Sequence, residues 1–342
     1  MSTQSNILAT GSDAGAPLTQ KHESLFADAM RRLVRNKAAV VGGVIVIMLL
    51  TMSILAPVFA PASYETQIRP DANKVPPWVV TVFPSMAPYA KFSAEYPLGA
   101  DDLGRDMLSR IMYGSRISLA VAIIAPLISM TVGVVFGRIS GYFGGRTDNI
   151  MMRVVDVLYA FPSILFIILM MAVFRSTLSS AAEPGTLQYF MNRIDAAMGG
   201  LFFIFVGIGL TAWETMARLA RGQVLSVREK EYVEAARSMG AGDRRIMFRH
   251  ILPNIIGPLI VAETLAIPAY IATEAFLSFI GLGVNPPTPS WGSMISEGSR
   301  AVRTYPNQAI FPAFALALTM FAFNFLGDGL RDAFDPRLRG KQ

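Results

Sequence analysis

The chain has no cysteine and only two histidines, His22 and His250, in 342 residues. Without cysteine there are no disulfides, thiol nucleophiles or thiolate metal ligands, and two imidazoles are too few for a His-rich metal site. No Gly-x-x-x-x-Gly-Lys-Ser/Thr loop occurs, so no Walker-type nucleotide site is expected in this polypeptide. Ser115 beside Arg116 and Ser226 near Arg228 lack a nearby histidine base, so the chain is not expected to be an enzyme, and His250, among Arg249 and Ile251, reads as a packing or interface residue. Charge is scarce as well: 16% of residues are charged, against about 25% in an ordinary soluble domain. The net charge of +6 fits an anionic membrane surface better than nucleic acid, given what fills the rest of the chain.

That filling is apolar. Hydrophobic residues make up 53% of the sequence, and a helix needs about 20 of them in a row to cross the hydrocarbon. Ala38–Phe59, Ile117–Gly137 and Ala309–Gly327 meet this length, and Val157–Phe174 and Ala196–Trp213 are shorter but uncharged. Ile255–Ile280 is long and interrupted by Glu263, Pro268 and Glu274, acidic residues expected to face protein or an aqueous path. The fold class predicted is therefore all-α, a polytopic membrane protein with six transmembrane helices.

Residues 1–23 read as a disordered tail, because they are rich in Ser, Thr, Gly and Ala. The first apolar run follows Lys21, His22 and Glu23, is about twenty residues long, and reads as a retained span over 38–59, not a cleaved signal peptide. Residues 24–37 set Leu25, Phe26, Met30, Leu33 and Val34 beside Arg31, Arg32, Arg35 and Lys37, the pattern of an interfacial amphipathic helix. A 60–116 segment follows, then a core over 117–327 and a tail over 328–342. Basic residues flank the spans on one side: Arg31 to Lys37, then Arg138, Arg146 and Arg153, then the 214–253 stretch, then Arg331, Arg337, Arg339 and Lys341. By the positive-inside rule both termini are cytoplasmic, and 60–116, 175–195 and 281–308 lie outside, although Arg105, Arg110 and Arg116 run against the rule locally. The outer segment is rich in proline and aromatics, with Trp78, Phe83, Tyr89 and Phe92 expected to stand clear of the membrane. Residues 102–118 predict a short helix capped by Asp102, with Met107, Ile111 and Met112 as its apolar stripe.

The stretch 214–253 is charged between uncharged spans and is expected to sit in water and touch a partner. Thr215–Met239 favours helix apart from Gly222, Gly240 and Gly242 break it, and Asp243 is placed to cap a second short helix, Arg244–His250, ending near Pro253. Within the fifth span, Glu263 and Glu274 stand eleven residues apart, about three turns, and so share a face. They either face a wet path or bond to polar groups of neighbouring helices. Asn324 in the sixth span is expected to hydrogen-bond between helices.

The run Glu234-Ala235-Ala236-Arg237-Ser238-Met239-Gly240, followed by Ile251-Leu252-Pro253, resembles the EAA signature of importer-type ABC transporter permeases. Tyr96-Pro97-Leu98-Gly99, Asp101-Asp102-Leu103-Gly104-Arg105-Asp106, Tyr113-Gly114-Ser115-Arg116, Phe161-Pro162, Phe276 to Gly283, Ser290-Trp291-Gly292 and Gly327 to Asp332 narrow the resemblance to the C-type subunit of dipeptide and oligopeptide importers. It covers roughly residues 25–340 and is most like the oligopeptide branch; the proline-rich insertion around 70–95 departs from the family pattern. The resemblance implies importer-type ABC permease architecture in a bacterial inner membrane. It also implies a second related permease subunit, two cytoplasmic ATPase subunits that bind ATP and Mg, and an extracytoplasmic peptide-binding protein. Glu234, Ala235, Ala236, Gly240, Ala241, Gly242, Asp243, Arg244 and Arg245 would then couple to an ATPase, with the inserted helix over approximately Ala241–Phe248. Glu263, Glu274 and Asn324 are candidates for the translocation path or an intramembrane polar network. The same architecture also serves nickel chelates, opines and sugar oligomers. A secondary transporter would need inverted repeats, which are not evident, and a scaffold without transport would not need aligned carboxylates.

Overall fold

A computed structural model of the protein describes residues 25–178 and 183–335. The expected tail over 1–23 and the end of the 328–342 tail lie outside the described residues, as does part of the 175–195 loop.

Asn36 separates the first two helices. Its side-chain oxygen accepts hydrogen bonds from the Ala38 and Ala39 N–H groups, so α1 (Leu25–Arg35) ends and α2 (Lys37–Phe59) begins afresh. The amphipathic segment and the first span are thus distinct helices, as their patterns predict. The 60–106 segment is a folded lobe. It carries α3 (Pro77–Val82) and one exception to the all-α class: β1 (Lys74–Val75) pairs in parallel with β2 (Lys91–Phe92), Lys74 opposite Lys91 and Val75 opposite Phe92. Val75, Val79 and Met86 are fully buried beneath it. Phe83 packs inside with them, 5.9 Å from the Phe311 ring, so of the four aromatics expected to stand clear only Trp78, Tyr89 and Phe92 are exposed. Lys74, then the Tyr96 hydroxyl, hold the Asp71 carboxyl below its usual range, and burial together with Asp71 pushes the Tyr96 phenol up to about 12.

The second span starts earlier than its apolar run. α4 (Met107–Phe143) is 37 residues long, and its cap is Asp106, which accepts from the Ser109 N–H at 2.7 Å. The short helix expected over 102–118 is therefore the opening of α4, and Asp102 caps nothing, because the chain around it is held in a turn by Asp101. The third span is not straight. α5 (Gly145–Tyr159) and α6 (Ser163–Leu178) meet at 80°, since Pro162 lacks an N–H and disfavours helix at Phe161. α7 (Leu187–Ala197) stops at Gly199 and Gly200, both with positive φ, so the fourth span begins at α8 (Phe202–Val227) and not at Ala196. α8 then runs on through Glu214, Arg218 and Arg221, good helix formers that need no break. After α9 (Glu231–Ser238), α10 (Asp243–Arg245) passes through a π-helical turn, Ile246–Ile251, directly into α11 (Leu252–Leu277). The separate helix expected to end at Pro253 is thus the head of the fifth span; the wider π turn relieves the clash that the proline ring makes with the carbonyl four residues back. α12 (Trp291–Ser299) and α13 (Asn307–Phe334) complete the fold. Five described helices are long and apolar enough to span a membrane, six if the bent α5–α6 pair counts as one.

α4 and α8 form the central pair. Gly133, Gly137 and Gly141, one turn apart on α4, face α8, and a Cβ on Gly137 would lie 2.1 Å from the Ala217 carbonyl oxygen. Around them an apolar core joins α2, α4, α8, α11 and α13, including Leu49, Val121, Phe205, Ile271 and Phe323. The bundle has two distinct ends. Asn36, Asp332, Asp148, Arg221 and Asp243 gather at one, tied by Asn36 to Asp332 (3.3 Å) and Tyr142 to Asp243 (2.7 Å). Ala62, Asp101, Arg110, Glu297 and Gln308 gather at the other.

Candidate functional site

At the first of these ends α9 projects beside α8. Val233 and Ala236 are its buried face, and Val233 packs with Tyr142, Met216, Val224, Ile246 and Ile251. Glu234, Ala235 and Arg237 point outward. The helix stops in a Schellman motif: the Gly240 N–H bonds to the Arg237 carbonyl and the Ala241 N–H to the Ala236 carbonyl, both at 3.0 Å. Gly240 sits at φ +80°, the left-handed position that the motif requires, and nothing lies within 4 Å of where its Cβ would be. This is the physical content of an Ala-Ala pair followed four residues later by glycine: a small residue for close helix contact, then a residue free to reverse the chain.

Beyond the turn, Gly242, and not Asp243, occupies the cap of the next helix. Asp243 instead accepts from the Tyr142 hydroxyl at the end of α4, and Arg138 stacks over the Phe248 ring at 4.0 Å. Gly242, Asp243, Arg244, Arg245 and Phe248 line an open groove. Met239 is 81% exposed and Phe248 51%, two apolar side chains at the tip of a charged projection. Arg221 makes two 2.5 Å bonds to Asp148, and Arg228 donates to the Gly141 carbonyl at 2.9 Å, so the projection is braced onto α4 and α5. The structure brings the nine expected coupling residues together, eight of them at the surface and Ala236 buried beneath it. It also shows that α10 is mechanically continuous with α11, which the glycine and proline positions did not suggest.

The two carboxylates of α11 are 3% and 0% exposed. Glu263 accepts from Ser129 at 3.3 Å and from Tyr270 at 2.9 Å; Glu274 accepts from Ser118 at 3.3 Å and from Ser278 at 2.7 Å. Ser118 and Ser129 are also eleven residues apart, so antiparallel α4 and α11 are stapled at two rungs three turns apart. Of the two expected placements for these acids, the helix–helix contact is the one observed. Asn324 lies on the exposed face of α13 and makes no interhelical bond to another described residue, because Ala322, Phe323 and Gly327 form the packed face there.

Two features escaped sequence reasoning. Glu214, taken as the start of the water-exposed stretch, is 7% exposed and sits midway along α8. Asp101, Arg105 and Arg110 form a buried ionic cluster with Glu297 at the other end of the bundle. The charged run from Asp101 to Arg110 was a signal for the second, since its basic residues sit on what should be the outer side. The first had none, because Glu214 borders Arg-rich sequence.

Comparison with known proteins agrees with this geometry. Residues 133–340 match the family described as binding-protein-dependent transport system inner membrane component, and residues 24–77 match the N-terminal transmembrane domain of oligopeptide transport permease C. The oligopeptide transport system permease protein OppC of Bacillus subtilis (strain 168) is 41% identical over 94% of this chain and 93% of its own. The Haemophilus influenzae OppC is 42% identical over 92% and 90%, and the dipeptide transport system permease protein DppC of Bacillus subtilis 41% over 91% and 86%. Among solved structures, a chain of the MetNI methionine ABC transporter in an inward-facing conformation has a TM-score of 0.51 at 16% identity, covering 66% of this chain and 97% of that one, a likeness of fold.

Proposed function

The chain belongs to the family of binding-protein-dependent transport system inner membrane components, and from that membership we propose that it is a permease subunit of an ATP-driven oligopeptide importer. The α9–α10 projection carries this reading. It offers an exposed, rigidly braced, partly apolar tip joined without a break to the fifth span, which is what a device that turns a push from a partner into helix movement needs. The relatives named for oligopeptide and dipeptide transport support the substrate class.

In this reading a second related permease completes the path, and two cytoplasmic ATPase subunits bind ATP and Mg and hydrolyse ATP. An extracytoplasmic binding protein delivers the peptide and makes most of the selection by its backbone and termini. Glu234, Ala235, Ala236, Gly240, Ala241, Gly242, Asp243, Arg244 and Arg245 form the contact with an ATPase, while the folded outer lobe, with Trp78, Tyr89 and Phe92 exposed, meets the binding protein. Glu263 and Glu274 hold α11 to α4 so that the push is transmitted. The test is uptake by the assembled importer in proteoliposomes: labelled oligopeptides should enter intact and only with ATP. Uptake of nickel complexes or sugar oligomers with no peptide uptake would replace the substrate class.

The proposed location is a bacterial inner membrane with both termini cytoplasmic. Since the native chain has no cysteine, single introduced cysteines report sidedness cleanly. Val82→Cys, in the lobe, should react with an impermeant maleimide on intact cells, and Met239→Cys only after permeabilisation; both positions are exposed. The reverse pattern would invert the orientation.

A further inference from the structure

The 80° bend between α5 and α6 opens a cavity of about 900 Å³ against the middle of α8. Its walls are apolar and aromatic, with Tyr159, Phe161, Phe166 and Trp213 among them, and Glu214 is the one charged residue of the lining. Glu214 is 7% exposed and makes no hydrogen bond or ion pair with any other described residue. Arg218, one turn along α8, acts on Glu214 only through its charge: its guanidinium is 2.8 Å from Asp156 and lies 4.2 Å above the Tyr159 ring. A carboxylate in a largely buried, mostly apolar site without a hydrogen-bond donor from the protein is poorly compensated, so a fold that keeps one there gains from a cation that arrives. Aromatic faces beside a carboxylate suit one class of cation in particular, an organic ammonium, which draws on the ring quadrupoles and the charge together. An anion would be repelled, and a neutral ligand would leave Glu214 as it is.

We propose that this cavity is a cation subsite of the translocation path, in which Glu214 receives an alkylammonium group of the peptide in transit, either its amino terminus or a lysine side chain. The proposal rests on the importer reading and deepens it: backbone contacts are tolerant of sequence, whereas this site gives the permease a local preference for positive charge midway between the outer lobe and the coupling surface.

The test uses the complete importer in proteoliposomes, with saturating binding protein whose affinity for each peptide is measured separately. Glu214→Gln keeps the shape and removes the charge; Glu214→Asp keeps the charge. Four tripeptides are compared, with lysine or norleucine in the middle and with a free or acetylated amino terminus. Glu214→Gln is expected to lower uptake of the ammonium-bearing peptides about tenfold, the scale of a charged hydrogen bond. The acetylated norleucine peptide should move at the wild-type rate, and Glu214→Asp should retain the preference. A loss that follows lysine identifies the side chain as the source, and a loss that follows the free terminus identifies the α-ammonium. Equal rates for all four peptides relative to wild type, whether unchanged or uniformly reduced, would overturn the proposal; uniform reduction with poor assembly would assign Glu214 to a basic group of the second permease. Trp213 fluorescence on adding n-butylammonium separates the two readings. If the wild-type assembly moves no peptide yet Trp213 responds only when Glu214 is present, the importer reading fails and the subsite stands. If Trp213 does not respond, the subsite fails.

Discussion

Replacing Gly240 with valine is expected to abolish ATP-driven uptake while leaving the subunit in the membrane at its normal level. The residue sits at φ +80° with open space around it, so the new side chain meets no neighbour and the whole penalty is conformational. A left-handed position costs an ordinary residue about 1–2 kcal/mol, and a β-branched one more. That is small against a typical stability of about 5–15 kcal/mol, so the bundle survives. The local turn does not, because its two 3.0 Å hydrogen bonds exist only while residue 240 stays left-handed. Released from them, α9 no longer fixes the direction in which α10 and the Met239–Phe248 tip point. Gly240→Ala should be milder and Gly240→Asn nearly silent, since asparagine tolerates this backbone region. Glu234→Lys tests the same surface by charge: on an exposed first turn of α9 it costs the helix only about 0.3–1 kcal/mol, so a collapse of uptake would come from the partner's side. Normal uptake with ATPase subunits co-purifying at normal yield in Gly240→Val would remove α9–α10 from the coupling role.

How far the sequence foretold this arrangement depended on whether the deciding interaction was local. The Gly240 turn, the change from amphipathic segment to first span and the apolar spans were legible because each rests on neighbours in the chain or on a run long enough to cross lipid. Pro162 reads from the sequence as a kink or helix end, and it does break the uncharged run 157–174, though the 80° size of the bend has no local mark. The fourth span ends at Trp213 in the sequence reading because charge marks the edge of the membrane, with a helix over Thr215–Met239 expected beyond it; the structure joins the two as one helix to Val227, its Arg218 and Arg221 met by Asp156 and Asp148 of α5. The two-rung staple of α4 and α11 was half visible: the spacing of Glu263 and Glu274 showed a shared face, but the matching spacing of Ser118 and Ser129 gains meaning only when the helices are known to be antiparallel neighbours. Pairings across 134 and 156 residues leave no mark in local pattern.

The ionic cluster beneath the 60–106 lobe makes the largest demand on stability. Asp101 is the hub: one oxygen accepts from Arg105 and Arg110 at 2.6 Å each, and the other holds the Leu103 and Arg105 N–H groups at 2.9 Å. Both guanidiniums are almost wholly buried, and their remaining acid is Glu297, whose side chain is 39% exposed. Asp101→Ala would leave two buried guanidiniums with Glu297 alone and two backbone donors without their acceptor, and breaking one partner out of a buried pair costs about 3–5 kcal/mol. Glu297→Gln, at the wet edge, should cost far less, about 1 kcal/mol or below. The loss has a defined location, because this cluster stands with the bonds from Gln308 to Asn73 and the Ala100 carbonyl, from Asn307 to the Leu98 carbonyl and from Tyr305 to the Tyr89 carbonyl among those that dock the 60–106 lobe on the bundle. The expected result for Asp101→Ala is a lower thermal midpoint in detergent, with protease cleavage appearing within 60–106 while the helices from α4 onward stay intact. Replacing Asp101, Arg105 and Arg110 together by apolar residues of similar size should recover part of that loss, since no charge is then stranded, but not all of it, since the Leu103 and Arg105 N–H groups still lack their acceptor. If Asp101→Ala and Glu297→Gln prove equally mild and the lobe stays resistant, the attachment resides in the apolar contacts of Val75, Val79 and Met86 with Phe311, and the ion cluster is not its anchor.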